Sequence, residues 1–305
     1  MNPDLKAEVE LIIPILSNKS HKGLDGRIGV IGGSKNYTGA PYFAAISALK
    51  TGCDLAHVFC TKDASPVIKS YSPELIVHPI LDSPNFIEEI SGHLPYLHSL
   101  VIGPGLGREE SIFESTRELI KLAKESKLPI VFDADALFLL KNTPDCIAGY
   151  KNAILTPNKV EFGRLYSAVS NEQIEHDFTD KHVAQVAKLL GNVTIVKKGL
   201  VDVISDGIDT IVCAEEGSPR RCGGQGDLLS GSLGVFNFWA QNYSKRQSKP
   251  GNLSCNATII AALGACMLTR RCNKLAFQKF QRSTLTSDMV SEIHNAFSSL
   301  FPALT

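Results

Sequence analysis

The 305-residue chain has no charge excess: Lys and Arg number 31, and Asp and Glu number 31. A balanced total gives no general attraction to nucleic acid or to an anionic membrane, and neither is expected as a partner. No apolar run approaches the roughly 18 residues needed to span a bilayer. The opening MNPDLKAEVE lacks the apolar core of a signal peptide and the acid-poor, Arg-rich character of a transit peptide. A cytoplasmic protein is therefore expected. Eight cysteines are present, yet no two stand at CxxC spacing and no histidine cluster accompanies them. That argues against a zinc site and against a disulfide framework. Cys60, Cys213 and Cys266 sit in apolar runs and read as buried thiols. Cys222 lies beside a glycine loop and reads either as a reactive thiol or as an ordinary one. GxxxxGK[ST], GxSxG and the HRD/DFG pair are all missing, so neither a P-loop protein, a GxSxG hydrolase nor a protein kinase is indicated.

What is present is a repeated unit. A short β-branched run ends in a Gly-, Pro- or Asp-rich segment, and helical periodicity often follows. RIGVIGGS leads through NYTGAP to YFAAISALK, and SLVIGPGLG leads to a helix with Ile112, Phe113, Thr116, Leu119, Ile120 and Ala123 on one face. PIVFDADAL, NAILTPN and NVTIVKKG supply further strands. Continuous apolar strands alternating with amphipathic helices predict a mainly parallel sheet covered on both faces. In DVISDGIDTIVC, two β runs flank Asp206-Gly207, which predicts a small antiparallel addition. Three apolar-striped helical stretches follow Asp227, and the polar run from Gln241 to Ser254 reads as a solvated loop between two of them. Composition is ordinary for a soluble protein, and we expect one α/β domain over residues 1–305.

The unusual residues fall just after strands. GGSKNYTGAP, GPGLGR, DADAL, TPNKVEF and KKG would therefore gather on one edge of a parallel sheet, where ligands of open α/β sheets bind. The first of these loops lacks GxGxxG spacing, and the next strand ends in Cys60-Thr61 instead of an acid for a ribose. A hydride-carrying nicotinamide cofactor is disfavoured, although Lys35, Asn36 and Tyr37 give the loop polar reach. In RRCGGQGDLLSG a helix beginning near Asp227 would aim unpaired amides at the loop. Gly223, Gly224 and Gly226 would let those amides converge on an anion. A carboxylate repels phosphate, so Asp227 reads as a base for a hydroxyl that attacks phosphorus, or as a helix cap. Asp133 and Asp135 read as a metal or acid–base pair, or as residues that cap a helix and bond to neighbouring loops. Asn158 and Glu161, three apart, read as organisers of magnesium-bound water or as a capping-box variant. Lys198 could attract a triphosphate.

Taken together, HKGLDGRIGVIGGSKNYTGAPYFAA, IGPGLGR, FDADAL, LTPNKVEF, VKKG and RCGGQGDLLSGSLG resemble, in order, the ribokinase-like superfamily. Within it they resemble the ATP-dependent NAD(P)H-hydrate dehydratases, in the form typical of eukaryotes. The resemblance runs roughly from Lys22 to Phe301. It implies an ATP-dependent enzyme that restores NADH and NADPH from the S forms of NADH-hydrate and NADPH-hydrate, with Mg2+, releasing ADP and phosphate. It implies hydrate binding by Gly105, Asn158, Lys159, Val160, Glu161, Phe162, Gly163, Arg164 and Asp227, with Asp227 catalytic. It implies ATP binding by Lys198, Gly199, Leu200, Val201, Asp202, Gly217, Ser218, Pro219, Arg220, Arg221, Cys222, Gly223, Gly224, Gln225 and Gly226. It also implies a homo-oligomer and a separate NAD(P)H-hydrate epimerase as functional partner. A kinase that leaves phosphate on a small alcohol shares these features, and a catalytically silent nucleotide-binding protein is a third reading.

Overall fold

The strands alternate between two cores, which is what a sheet buried on both faces requires. In the computed structural model, which describes residues 3–18, 21–170, 172, 177–246 and 253–302, nine strands form one sheet. They are β1 (Arg27–Ile31), β2 (Leu55–Phe59), β3 (Ile76–His78), β4 (Ser99–Ile102), β5 (Ile130–Phe132), β6 (Ala153–Leu155), β7 (Thr194–Lys197), β8 (Asp202–Ser205) and β9 (Thr210–Cys213). The helices among the described residues are α1 (Pro3–Ile12), α2 (Gly39–Thr51), α3 (Ser65–Tyr71), α4 (Phe86–Ser91), α5 (Glu110–Glu125), α6 (Asp135–Asn142), α7 (Lys159–Ser170), α8 (Asp180–Leu189), α9 (Gln225–Arg246), α10 (Ala257–Phe280), α11 (Thr286–Ser291) and α12 (Ile293–Leu300). The sheet order is β3-β2-β1-β4-β5-β6-β7-β8-β9. Pairing is parallel from β3 to β7, and the last two pairs are antiparallel.

Ile28, Val30, Val58, Val101, Val131, Ile154 and Val196 face one core, which they share with α1, α2, α9, α10 and α12. Ile31, Phe59, Leu100, Ile102, Ile130, Phe132, Leu155 and Ile195 face the other, with α4, α5, α6, α7 and α8. The six residues that the sequence places on one face of α5 are all buried. The Asp206-Gly207 turn joins β8 to β9 as expected. Asp206 Oδ1 accepts the Ile208 and Asp209 amides, both at 2.9 Å. The stretch from Gln241 is helical through Arg246, because Tyr243 still packs on the core. Residues 247–252 of the expected loop lie outside the described residues.

Strand order reverses between β1 and β4, so the loops leaving them diverge and open a crevice at their C-terminal ends. Gly32 after β1 fits only because it is glycine: a Cβ there would lie 2.0 Å from the Pro104 carbonyl oxygen. The second close approach lies in α9, where a Cβ on Gly231 would lie 2.0 Å from the Ala44 carbonyl oxygen in α2. That contact brings α9 down against α2 and aims its N-terminus into the crevice. No helix among the described residues is long and apolar enough to cross a membrane.

Two stability predictions follow from this packing. Gly231→Ala should lower unfolding free energy by about 1–3 kcal/mol, the usual cost of overpacking, as read by denaturant titration. Loss of less than about 0.5 kcal/mol would mean that the α2–α9 contact yields easily. The second concerns His57, His78 and His93, which pack together near the β3 edge. His57 Nδ1 lies 3.0 Å from His78 Nε2, and the rings of His78 and His93 are 4.4 Å apart. Burial, then the His93 and His57 charges, push His78 down to about 4 from its ordinary 6.5. The fold therefore favours neutral His78, and the unfolded chain binds more protons between those values. Stability should fall as pH drops from 6.5 toward 4, and His78→Gln should flatten that slope. An unchanged slope in the variant would remove His78 from the account.

Candidate active site

Three adjacent parallel strands end together here. β5 delivers Asp133, β6 delivers Thr156, and β7 delivers Lys198. Asp133 is almost wholly buried, 2% exposed. Its Oδ1 accepts hydrogen bonds from Thr156 Oγ1 at 2.8 Å and from Lys198 Nζ at 2.9 Å. Lys198 is held from its backbone as well, through its amide to the Pro157 carbonyl at 2.9 Å. Burial works against the Lys198 charge, but Asp133, Glu161 and Asp227 outweigh it and keep the ammonium protonated. Asp133 and Asp135 do not act as a pair. Asp135 turns outward to the GPGLGR loop, accepting from the Gly107 amide at 3.1 Å and from Arg108 Nε at 2.9 Å.

Helix α9 begins at Gln225, two residues before Asp227. The carbonyl of Gly224 accepts the first helical bond, from the Leu228 amide at 3.0 Å. Gly224 is therefore the capping residue, and Asp227 stands inside the first turn. Gly224 has φ +91°, open to glycine and strained for other residues. Among the described residues the amides of Gly223, Gly224, Gly226 and Asp227 donate to no acceptor, which is the arrangement an anion needs. A Cβ at Gly226 would sit 3.4 Å from Lys198 Nζ and 3.7 Å from Asp133 Oδ2. The glycine loop thus lies directly on the ion pair. The Asp227 carboxylate makes no hydrogen bond among the described residues. Burial, then the Asp133 charge, raise its pKa well above the ordinary carboxylate range, and Lys198 opposes them.

Asn158 and Glu161 form a capping box at the start of α7. Asn158 Oδ1 accepts the Val160 and Glu161 amides at 2.9 and 3.0 Å, and Glu161 Oε2 accepts the Asn158 amide at 2.8 Å. Burial raises the Glu161 pKa, and Lys198 is the main opposing charge. Among the described residues no three His, Cys, Asp or Glu side chains converge to hold a metal ion.

A pocket of about 570 Å³ opens beside the ion pair. Of the residues singled out from sequence, Asn158, Lys198, Gly199, Leu200, Asp202, Gly217, Arg221, Cys222, Gln225 and Gly226 line it. Val201, Ser218, Pro219, Arg220, Gly223 and Gly224 belong to the same two loops but do not line it. Arg220 Nε instead reaches the Thr284 carbonyl at 3.3 Å. Gly105 abuts the β1 loop, where a Cβ would lie 2.5 Å from the Tyr37 carbonyl oxygen. Lys159, Val160, Gly163 and Arg164 line an open depression beyond the capping box. Phe162 is fully buried against Phe178, so its side chain serves the core.

Sequence reading missed the pocket wall contributed by α10: Thr269, Arg270 and Asn273. Arg270 Nε donates to Asp202 at 2.6 Å, and its other nitrogens donate to the Leu200 and Gly199 carbonyls at 2.8 and 3.0 Å. Asn273 Oδ1 accepts the Ser218 amide at 2.6 Å. These two side chains tie down both loops of the pocket. The signal was present in TRRCNK, a polar run inside an otherwise apolar helix.

An α/β sheet of this order with a glycine-loop helix aimed at its crevice places the molecule among ribokinase-like proteins. It superposes on a ribokinase-like superfamily protein of Enterococcus faecalis with TM-score 0.73 and 20% identity, covering 97% of this chain and 94% of that one. It also superposes on the ADP/ATP-dependent NAD(P)H-hydrate dehydratase of Bacillus subtilis co-crystallised with ATP/Mg2+, with TM-score 0.68 and 20% identity, covering 97% of each chain. Residues 28–295 match the family model described as NAD(P)H-hydrate dehydratase. The ATP-dependent (S)-NAD(P)H-hydrate dehydratase of Danio rerio is 55% identical over 289 residues, 95% of this chain and 86% of that protein. The Homo sapiens protein of the same name is 54% identical over 293 residues, 96% of this chain and 83% of that protein. The chain belongs to the NAD(P)H-hydrate dehydratase family.

The ion pair carries a prediction. Lys198→Met leaves Asp133 charged and buried without its partner, which typically costs about 3–5 kcal/mol. Adding Asp133→Asn should restore most of that loss. If the single variant unfolds at the wild-type denaturant midpoint, the pair does not organise these strand ends.

Proposed function

We propose that the protein is an ATP-dependent dehydratase, a single-domain enzyme that returns the S forms of NADH-hydrate and NADPH-hydrate to NADH and NADPH. The observation that carries this reading is the half-buried, unbonded carboxylate of Asp227 beside unpaired helix-terminal amides and the charged Lys198. Hydroxide leaves a ring poorly, and phosphate leaves well. Asp227 takes the proton of the ring hydroxyl as the hydroxyl oxygen attacks the γ-phosphorus of ATP and ADP leaves. Its raised pKa makes it a stronger base than an ordinary carboxylate. The unpaired amides of Gly223, Gly224 and Gly226 donate to the phosphoryl oxygens as their charge grows. Such preorganised donors are worth about 10²- to 10³-fold each. Lys198 supplies a fixed positive charge at the same place. The ring nitrogen then helps expel phosphate, and loss of a neighbouring proton restores the double bond.

The donor set suits magnesium that keeps several waters and leans on one or two carboxylates and phosphate oxygens. Glu161, with one oxygen outside the capping box, is the carboxylate at hand, since Asp227 is needed free as the base. Bound there, magnesium would neutralise phosphate charge. A separate epimerase fits as functional partner, because an enzyme restricted to one form of the hydrate needs the other converted. A homo-oligomer, which rests on the family resemblance, and a cytoplasmic location complete the reading.

With NADH-hydrate, the wild-type protein should restore reduced-nicotinamide absorbance only when ATP is present. Asp227→Asn should keep the fold and lose about 10²- to 10⁴-fold in turnover, the usual share of a general base. Wild-type turnover should also fall as acid protonates Asp227, above the pH at which ordinary carboxylates titrate. Near wild-type turnover in folded Asp227→Asn would end the base assignment.

A further inference from the structure

Across the capping box from the nucleotide pocket, two cations lie against one aromatic ring in α6. The Arg108 guanidinium carbon is 4.4 Å from the centre of Phe138, and Lys141 Nζ is 4.1 Å from it. Both border a pocket of about 170 Å³ that Arg164 also lines. Arg108 is paired with Asp135, and Glu161 faces Arg164 electrostatically without pairing with it. Among the described residues, neither Lys141 nor Arg164 has a carboxylate within ion-pair distance. The dipole of α6 favours a cation at Lys141, in its last turn. It gives no reason for Arg108 and Arg164 to gather at the same pocket. Three cations against the two lining carboxylates, Asp135 and Glu161, leave an excess of positive charge that an anion would neutralise.

The position of this pocket narrows the anion. Glu161 lines it, and the same carboxylate faces Lys198 electrostatically. The cations therefore stand one side chain away from the reaction centre. Beyond them the surface continues as an open depression of about 600 Å³, again bordered by Lys141 and Arg164 and extended by Lys159. A ligand whose reacting ring sits at Asp227 would carry its next charged group past Glu161.

We infer that Arg108, Lys141 and Arg164 bind the diphosphate bridge of the dinucleotide substrate, with Phe138 holding Arg108 and Lys141 in place. Arginine can grip phosphate with two parallel hydrogen bonds, and lysine adds a point charge. The inference rests on the hydrate-repair chemistry proposed above and adds the part of the substrate that is gripped. Arg108 and Lys141 become specificity residues alongside Arg164.

Lys141→Met tests it, because methionine keeps an apolar stem against Phe138 and removes the charge. With both NADH-hydrate and NADPH-hydrate, KM should rise about tenfold, the loss expected of one charge-assisted contact. The turnover number and KM for ATP should not change. The hydrate of reduced nicotinamide riboside, which carries no phosphate, should show no added loss, and Lys141→Arg should restore the dinucleotide KM. A loss confined to NADPH-hydrate would overturn the assignment in favour of the extra 2′-phosphate. An equal loss with the riboside would overturn it as a general distortion of the site. If wild-type protein acts on none of these hydrates, the proposed function fails separately. The pocket is then judged by calorimetric titration with inorganic diphosphate, the nucleotide pocket being filled by a non-hydrolysable ATP analogue. Binding that weakens in Lys141→Met supports an anion site, and binding that ignores the substitution overturns it.

Discussion

The hydrogen-bonded ion pair between Asp133 and Lys198 is the constraint on which the rest of the site depends. It joins the ends of β5 and β7 across β6, with Thr156 contributing the third partner. A buried pair of this kind costs desolvation free energy and offers little net stability. What it provides here is position and field. The ammonium is kept charged in a place where water is scarce, and the glycine loop rests on it. Without it, Asp227 would lose the positive charge that opposes its neighbouring carboxylate.

The surrounding loops are fixed from behind. Arg270 and Asn273 spend their hydrogen bonds on the backbone of residues 199, 200, 218 and 220 and on the Asp202 carboxylate, and leave few for a ligand. The pocket is thus shaped by side chains of α10 whose task is to hold backbone. The N-terminus of α9 is fixed in the same way, by glycines that permit contact with α2 and by Gly224 against Phe43. Preorganised donors of this sort stabilise developing charge without having to move during the reaction.

Much of this was legible in the chain. The apolar face of α5 followed from its 3.6-residue period. The parallel order followed from continuous strands, and the final hairpin from Asp-Gly. The convergence of five loops on one edge needed nothing beyond β/α alternation. Other features were hidden because they depend on partners distant in sequence. Nothing near Asp133 announces that its carboxylate belongs to Lys198, 65 positions away. Asn158 and Glu161 allowed two readings at equal spacing, and backbone geometry gave them a capping box. Asp227 allowed two readings, a base and a helix cap, and the helix start at Gln225 leaves it inside the first turn. Arg270 and Asn273 were passed over because a helix rich in Ile, Ala and Leu reads as core, and polar interruptions in it have no partner visible in the sequence.

The central claim is that a kinase-like site performs a dehydration, and the fate of the phosphate tests it most directly. Purified protein would be mixed with NADH-hydrate, ATP and magnesium, and reduced-nicotinamide absorbance and free phosphate would be followed together. The account predicts that both rise in equal amounts, and only with ATP. ATP consumption with the phosphate remaining on an alcohol product, and no return of absorbance, would contradict it.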